Sequence, residues 1–246
     1  MYLNNDLLFL SGNNIPFIEA QLIIHQPTIK EIGLIGEDVF FTGCQLLNFS
    51  KNLLNTEDKV SLEDQTNFDI LIAILREQNA VMQKNRNCVN MVLALLFPNY
   101  EIQFKSDCIS FRQEGDESEY QINRNNYEIF KEIISIMFNL KQDKTTTFNP
   151  SGELASRIAK KLQKRHQKLA QDKPDKKIDI LSRYVSILSV AQSKDMNVLL
   201  NYTVYQLYDE FKRNELKMNY DIYLEAKMAG AKDLKEVEDW MQDIHS

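Results

Sequence analysis

YEIQFKSDCISFRQEGDESEYQI, residues 100–122, is where the hydrophobic rhythm of the chain changes. Ile102 and Phe104 alternate with polar residues, then Ile109 and Phe111, then Tyr120 and Ile122. Period two puts successive side chains on opposite faces of a strand. Lys105-Ser106-Asp107 and Glu114-Gly115-Asp116 supply turn chemistry between the runs. The spacing predicts a three-stranded meander. Around it, the apolar residues recur mostly every three or four positions, as on amphipathic helices. The fold class that follows is α+β. We read an N-terminal domain over residues 1–140 with a small antiparallel sheet and helices. A linker and basic amphipathic helix follow over 141–177, then a mainly helical C-terminal domain over 178–246.

Toward the N-terminus, Leu7 to Leu10 and Phe17 to His25 are short apolar runs flanking the turn cluster Ser11-Gly12-Asn13-Asn14. They read as a loose β-hairpin. Pro27 disfavours helix at Gln26. Thr28 and Glu31 then form a T-x-x-E capping box, each side chain serving the other residue's backbone N–H. Ile32, Ile35, Val39 and Leu46 continue one helical stripe, with Gly33, Gly36 and Gly43 grouped beside it. Glycine inside a helix costs about 1 kcal/mol relative to alanine. The group therefore predicts close approach of another backbone, its own or a partner's. Thr66 and Asp69 open a further helix. Asn87 to Phe97 reads as a buried helix stopped by Pro98, and Asn126 as the cap of a helix carrying Phe130, Ile133 and Met137.

Toward the C-terminus, Ile178 to Ala191 is helical in pattern. Ser193 or Asp195 is expected to cap the next helix, with the stripe Leu199, Val204, Leu207, Tyr208 and Phe211. Tyr220 to Met228 continues it, ending at Gly230. Asp233 and Glu236 suit a capping box for a last short helix holding Trp240. Tyr202, Tyr205, Tyr208, Phe211, Tyr220, Tyr223 and Trp240 are the aromatic candidates for a protein-binding patch, with Tyr205, Tyr208 and Trp240 foremost, since Tyr and Trp dominate interface hot spots. Helical spacing also suits core for the tyrosines, which leaves Trp240 as the candidate exposed anchor.

Composition narrows the function. The 246 residues hold only 7 Gly and 5 Pro, which favours helices with short connections. The net charge of -6 favours solubility and disfavours general attraction to nucleic acid. Cys44, Cys88 and Cys108 are scattered and form no metal-ligand spacing, so a reduced compartment is the expectation. The N-terminus lacks the pattern of a signal peptide, and no apolar run approaches the roughly 20 residues of a membrane span. Phosphate-binding, dinucleotide-binding and nucleophile-elbow motifs are missing from the sequence, and His25, His166 and His245 lie far apart. We therefore expect a non-enzymatic protein with no cofactor and no metal. Residues 151–177 carry a local excess of positive charge, including Arg157, Lys161 and Lys164. This reads first as a solvated face, or one docked on the chain's own acidic remainder. An acidic partner or nucleic acid is the alternative, although stacking aromatics are absent from the segment.

Four pieces in order carry a resemblance. They are His25-Gln26-Pro27-Thr28-Ile29-Lys30-Glu31-Ile32 with Ile35-Gly36-Glu37, Thr203 to Phe211, Tyr220 to Gly230, and Glu238-Asp239-Trp240-Met241. Together they resemble tail-gene products of long-tailed bacteriophages of low-GC bacteria, chiefly tail assembly chaperones. A weaker likeness runs to baseplate hub assembly proteins. The resemblance implies a partner, the tape-measure protein or another tail protein, with a homo-oligomer as a further option and no membrane. It implies action in the host cytoplasm. The alternative is a structural subunit of the mature tail or baseplate, which would reside in the virion. A tape-measure chain exposes apolar surface until the tail tube encloses it, and a soluble protein with docking faces can coat it meanwhile.

Overall fold

The computed structural model describes residues 6–50, 64–76, 80–113, 115, 118–140, 179–230 and 237–242. The chain is α+β. Helix α1 (Asp6–Leu10) leads into β1 (Ile15–Phe17) and β2 (Leu22–Ile24), an antiparallel pair with Ile15 opposite Ile24. Helices α2 (Ile29–Ile35), α3 (Glu37–Leu47), α4 (Asn67–Arg76) and α5 (Ala80–Leu96) follow. The meander is β3 (Tyr100–Phe104), β4 (Cys108–Gln113) and β5 (Glu119–Asn123), antiparallel in sequence order. Then come α6 (Tyr127–Met137), α7 (Ile180–Gln192), α8 (Met196–Leu200) and the long α9 (Val204–Met228).

The meander forms where alternation places it, with Ile102 opposite Phe111 and Ile109 opposite Ile122. Phe111 and Ile122 are fully buried. Three expectations need correction. The N-terminal hairpin pairs Ile15–Phe17 with Leu22–Ile24, and Leu7 to Leu10 is helical instead. A short helix there satisfies its carbonyls through side chains. Ser11 Oγ and Gln26 Nε2 donate to Leu8 O at 2.8 and 3.2 Å, and Gln206 Nε2 donates to Leu10 O at 2.7 Å. Asn126 does not cap α6 with its side chain. Its Oδ1 accepts from Asn123 N at 2.8 Å and its Nδ2 donates to Gln121 O at 2.9 Å, so it buttresses the end of β5. The third correction is at Asn201, where the expected run from Leu199 to Phe211 breaks. Asp195 caps α8, and Thr203 restarts the chain as α9 through a capping box with Gln206.

Residues 1–140 and 181–246 belong to one compact unit. The expected division separates residues 178–246, yet Leu181, Val185, Leu188, Leu199, Val204, Tyr205 and Leu207 lie in the same buried cluster as the N-terminal core. Phe97, fully buried, joins three elements: its ring centroid is 4.5 Å from Phe111 of β4 and 6.2 Å from Phe130 of α6. Phe9 of α1 packs on Tyr205 of α9 at 5.4 Å, and Tyr205 Oη donates to Asp6 Oδ1 at 3.1 Å. The basic segment, with Arg157, Lys161 and Lys164, lies outside the described residues, as do Asp233 and Glu236.

The two capping boxes meet. Thr28 and Thr203 form an isolated antiparallel bridge, and Ile29 N donates to Tyr202 O at 2.8 Å. Glu31 sits at this junction. Its carboxylate accepts from Thr28 N at 2.7 Å and Thr28 Oγ1 at 2.8 Å, with His25 Nε2 at 3.2 Å. Burial pushes the Glu31 carboxyl up, but the hydrogen bonds from Thr28 and the neighbouring His25 outweigh it and leave it below its ordinary value. Such a group adds stability that is complete above the ordinary carboxylate range and is lost as pH falls through the lowered folded value. Glu31→Gln should therefore flatten the fall of unfolding free energy on acidification below about pH 5. Urea titrations at stepped pH check this, and parallel acid limbs for the two chains would contradict it.

Candidate partner-binding groove

The expected glycine face divides in the structure. Gly33 has open space around the position of a side chain, and so does Gly36. Gly36 is not inside a helix at all: at φ 90° and ψ 139° it ends α2 and begins α3. Gly43 alone of the three meets another backbone, that of Cys88 on α5. The reason for glycine thus differs at each site. Gly33→Ala should stabilise the fold by about 0.5–1 kcal/mol, because it removes helix-interior flexibility without a clash. Gly36→Ala should destabilise by about 1–3 kcal/mol, because few residues but glycine tolerate that backbone conformation. Paired thermal melts decide both signs.

Tyr205 is buried core rather than an interface residue. Tyr208 is half-buried with its ring edge-on to Tyr184 at 5.2 Å. Burial, with Tyr184 and Glu37 nearby, pushes its phenol up to about 12. Phe211 stacks on Tyr184 at 3.9 Å. These aromatics brace α7 against α9. Trp240 is half-buried on the wall of a groove, and residues 237–242 are irregular, with a turn at Trp240 and Met241 in place of the expected helix.

The groove, about 1000 Å³, lies beside the first half of α9. Its apolar lining includes Leu10, Ala191, Val198, Tyr202 and Trp240. Lys194, at the turn between α7 and α8, is its central polar group. Lys194 Nζ bonds Glu210 Oε1 and donates to Tyr202 Oη at 3.1 Å, and lies 5.4 Å from the centre of the Tyr202 ring. Burial pulls the Lys194 ammonium down, but the bonds to Glu210 and Tyr202 prevail and hold it above its ordinary value. Arg213 pairs with Asp209 at 3.3 Å. The charges are thus mutually satisfied around an apolar slot, a surface suited to a side chain of mixed character. Sequence reading found Tyr202 and Trp240 but missed Lys194 and Glu210, which the break at Asn201 brings together. The T-x-x-Q signature at Thr203 was the available signal for that break.

Among the described residues, no group of three or more His, Cys, Asp or Glu is placed to hold a metal ion, and no helix is long and apolar enough to cross a membrane. The family model of the YomV second domain matches residues 173–245, the segment that contains α7, α8, α9 and Trp240. That family is phage-derived, which suggests a phage origin for this protein. No curated protein and no solved structure matches the chain.

Proposed function

We propose that this is a non-enzymatic phage protein that works by holding a partner chain, as a tail assembly chaperone for the tape-measure protein. The groove beside α9 carries this reading, because it presents an apolar slot and an aromatic anchor inside the segment matched to a phage-derived family. The second half of α9 adds exposed Met218, Ile222 and Met228, adaptable apolar contacts of the kind that binding surfaces use. The order of the sequence pieces at Thr28, Thr203, Tyr220 and Glu238 supports the tail-assembly assignment by resemblance.

Co-expression with the tape-measure protein of the same genome tests the proposal. The expected result is a soluble complex, with the tape-measure chain insoluble when made alone. Failure to co-purify, with the tape-measure chain equally insoluble in both cases, overturns it. Mass spectrometry of purified virions separates this reading from a retained tail or baseplate subunit. The chaperone should be absent, whereas a subunit should be present in fixed copy number.

A further inference from the structure

The groove already has an occupant on one side, supplied by the chain itself. Residues 237–242 run back along α9. Val237 and Glu238 line a smaller hollow of about 510 Å³ with Leu216, Ile222 and Tyr223, and Trp240 lines the main groove. Arg213 Nη1 donates to Gln242 O at 3.5 Å, the long end of hydrogen bonding. Within the tail the bonds are local, from Met241 N to Asp239 Oδ1 and from Gln242 Nε2 to Glu238 Oε2.

The bonds that brace the groove do not pass through this tail. Lys194 ties Glu210 to Tyr202, and Gln206 ties α9 to the Leu10 carbonyl. The slot is therefore built independently of what fills it. Its three lining cations are each already paired, Lys194 with Glu210, Arg213 with Asp209 and Lys217 with Asp221, so they hold the walls in place without a surplus of charge. The tail brings two further carboxylates, Glu238 and Asp239, directly before the indole. The occupant is thus indicated by the chain's own tail, which sets an indole against the groove directly after two acidic residues.

We propose that Trp240 is a built-in stand-in for a partner's side chain. The groove takes an aromatic residue preceded by acidic ones, and the partner docks by displacing the tail. This deepens the partner-binding reading above and rests on it for its biological meaning. Its test needs no partner in hand, so either idea can fail without the other.

Trp240 is the single tryptophan of the chain, so its emission reports the tail directly. In the full-length protein that emission should lie at shorter wavelength than in a synthetic peptide of residues 231–246, and acrylamide should quench it less. A fluorescein-labelled form of that peptide should then bind the full-length Trp240→Ala protein at least tenfold more tightly than the wild type. A peptide carrying Trp240→Ala should bind neither. Equal binding to both proteins, or none to either, overturns the proposal. So does an emission spectrum matching the free peptide, a comparison that needs no variant and survives any loss of stability in Trp240→Ala. A blue shift that grows with wild-type concentration puts the tail in a second copy's groove and overturns the assignment to its own.

Discussion

Gly43→Val should lower the unfolding free energy by about 3 kcal/mol, at the upper end of the range for overpacked cores. A Cβ at Gly43 would sit 2.6 Å from the Cys88 carbonyl oxygen and 2.6 Å from Val92 Cγ2. The valine methyl can rotate or be removed, but the carbonyl cannot move, because it belongs to the backbone of α5. The neighbouring Cys44 is fully buried, so the two helices cannot part without opening the core. The urea midpoint should fall with an unchanged slope, since the surface exposed on unfolding is the same. Adding Val92→Ala to the milder Gly43→Ala should recover only part of the loss, because the carbonyl contact remains. An unchanged midpoint for Gly43→Val would show that α3 and α5 separate without cost.

Phe97→Ala should be at least as damaging, at about 3–5 kcal/mol. Its ring is fully buried and meets Phe111, Phe130 and Tyr100, with centroids 4.5 to 6.2 Å away. It thus joins the end of α5, the meander and α6, and its loss leaves a cavity that rigid neighbours cannot fill. For a chain of this size the melting temperature should drop by roughly 10 °C. Differential scanning calorimetry checks this. A drop of only a degree or two would mean that the sheet shifts to close the gap.

What the sequence disclosed was local. The capping box at Thr28, the helix start at Thr66 and Asp69, the stop at Pro98 and the alternation from Tyr100 to Ile122 are each written within a few residues, and each formed. Leu7 to Leu10 was not legible, because a four-residue apolar run suits strand or helix equally. Its conformation is decided by Gln26 and Gln206, the second of them far along the chain. The glycines were legible as a group but not individually, since whether a glycine meets a backbone depends on a helix that follows after a long gap. The groove was the least legible part. Trp240 could be singled out by its type, but Lys194 and Glu210 look like ordinary surface charges until the turn at Asn201 brings them together.

The bridge between Thr28 and Thr203 has a meaning in time as well as in space. A ribosome makes roughly 5–20 residues per second. Asp6 and Tyr205, 199 positions apart, are therefore emitted on the order of 10–40 s from one another. During that interval Phe9, Ile29 and Ile32 have been made, but the α9 residues that help cover them have not. The nascent protein is itself a client in need of cover. If it protects the exposed surface of another chain, it does so only after closing a seam that its own synthesis leaves open until α9 has been made.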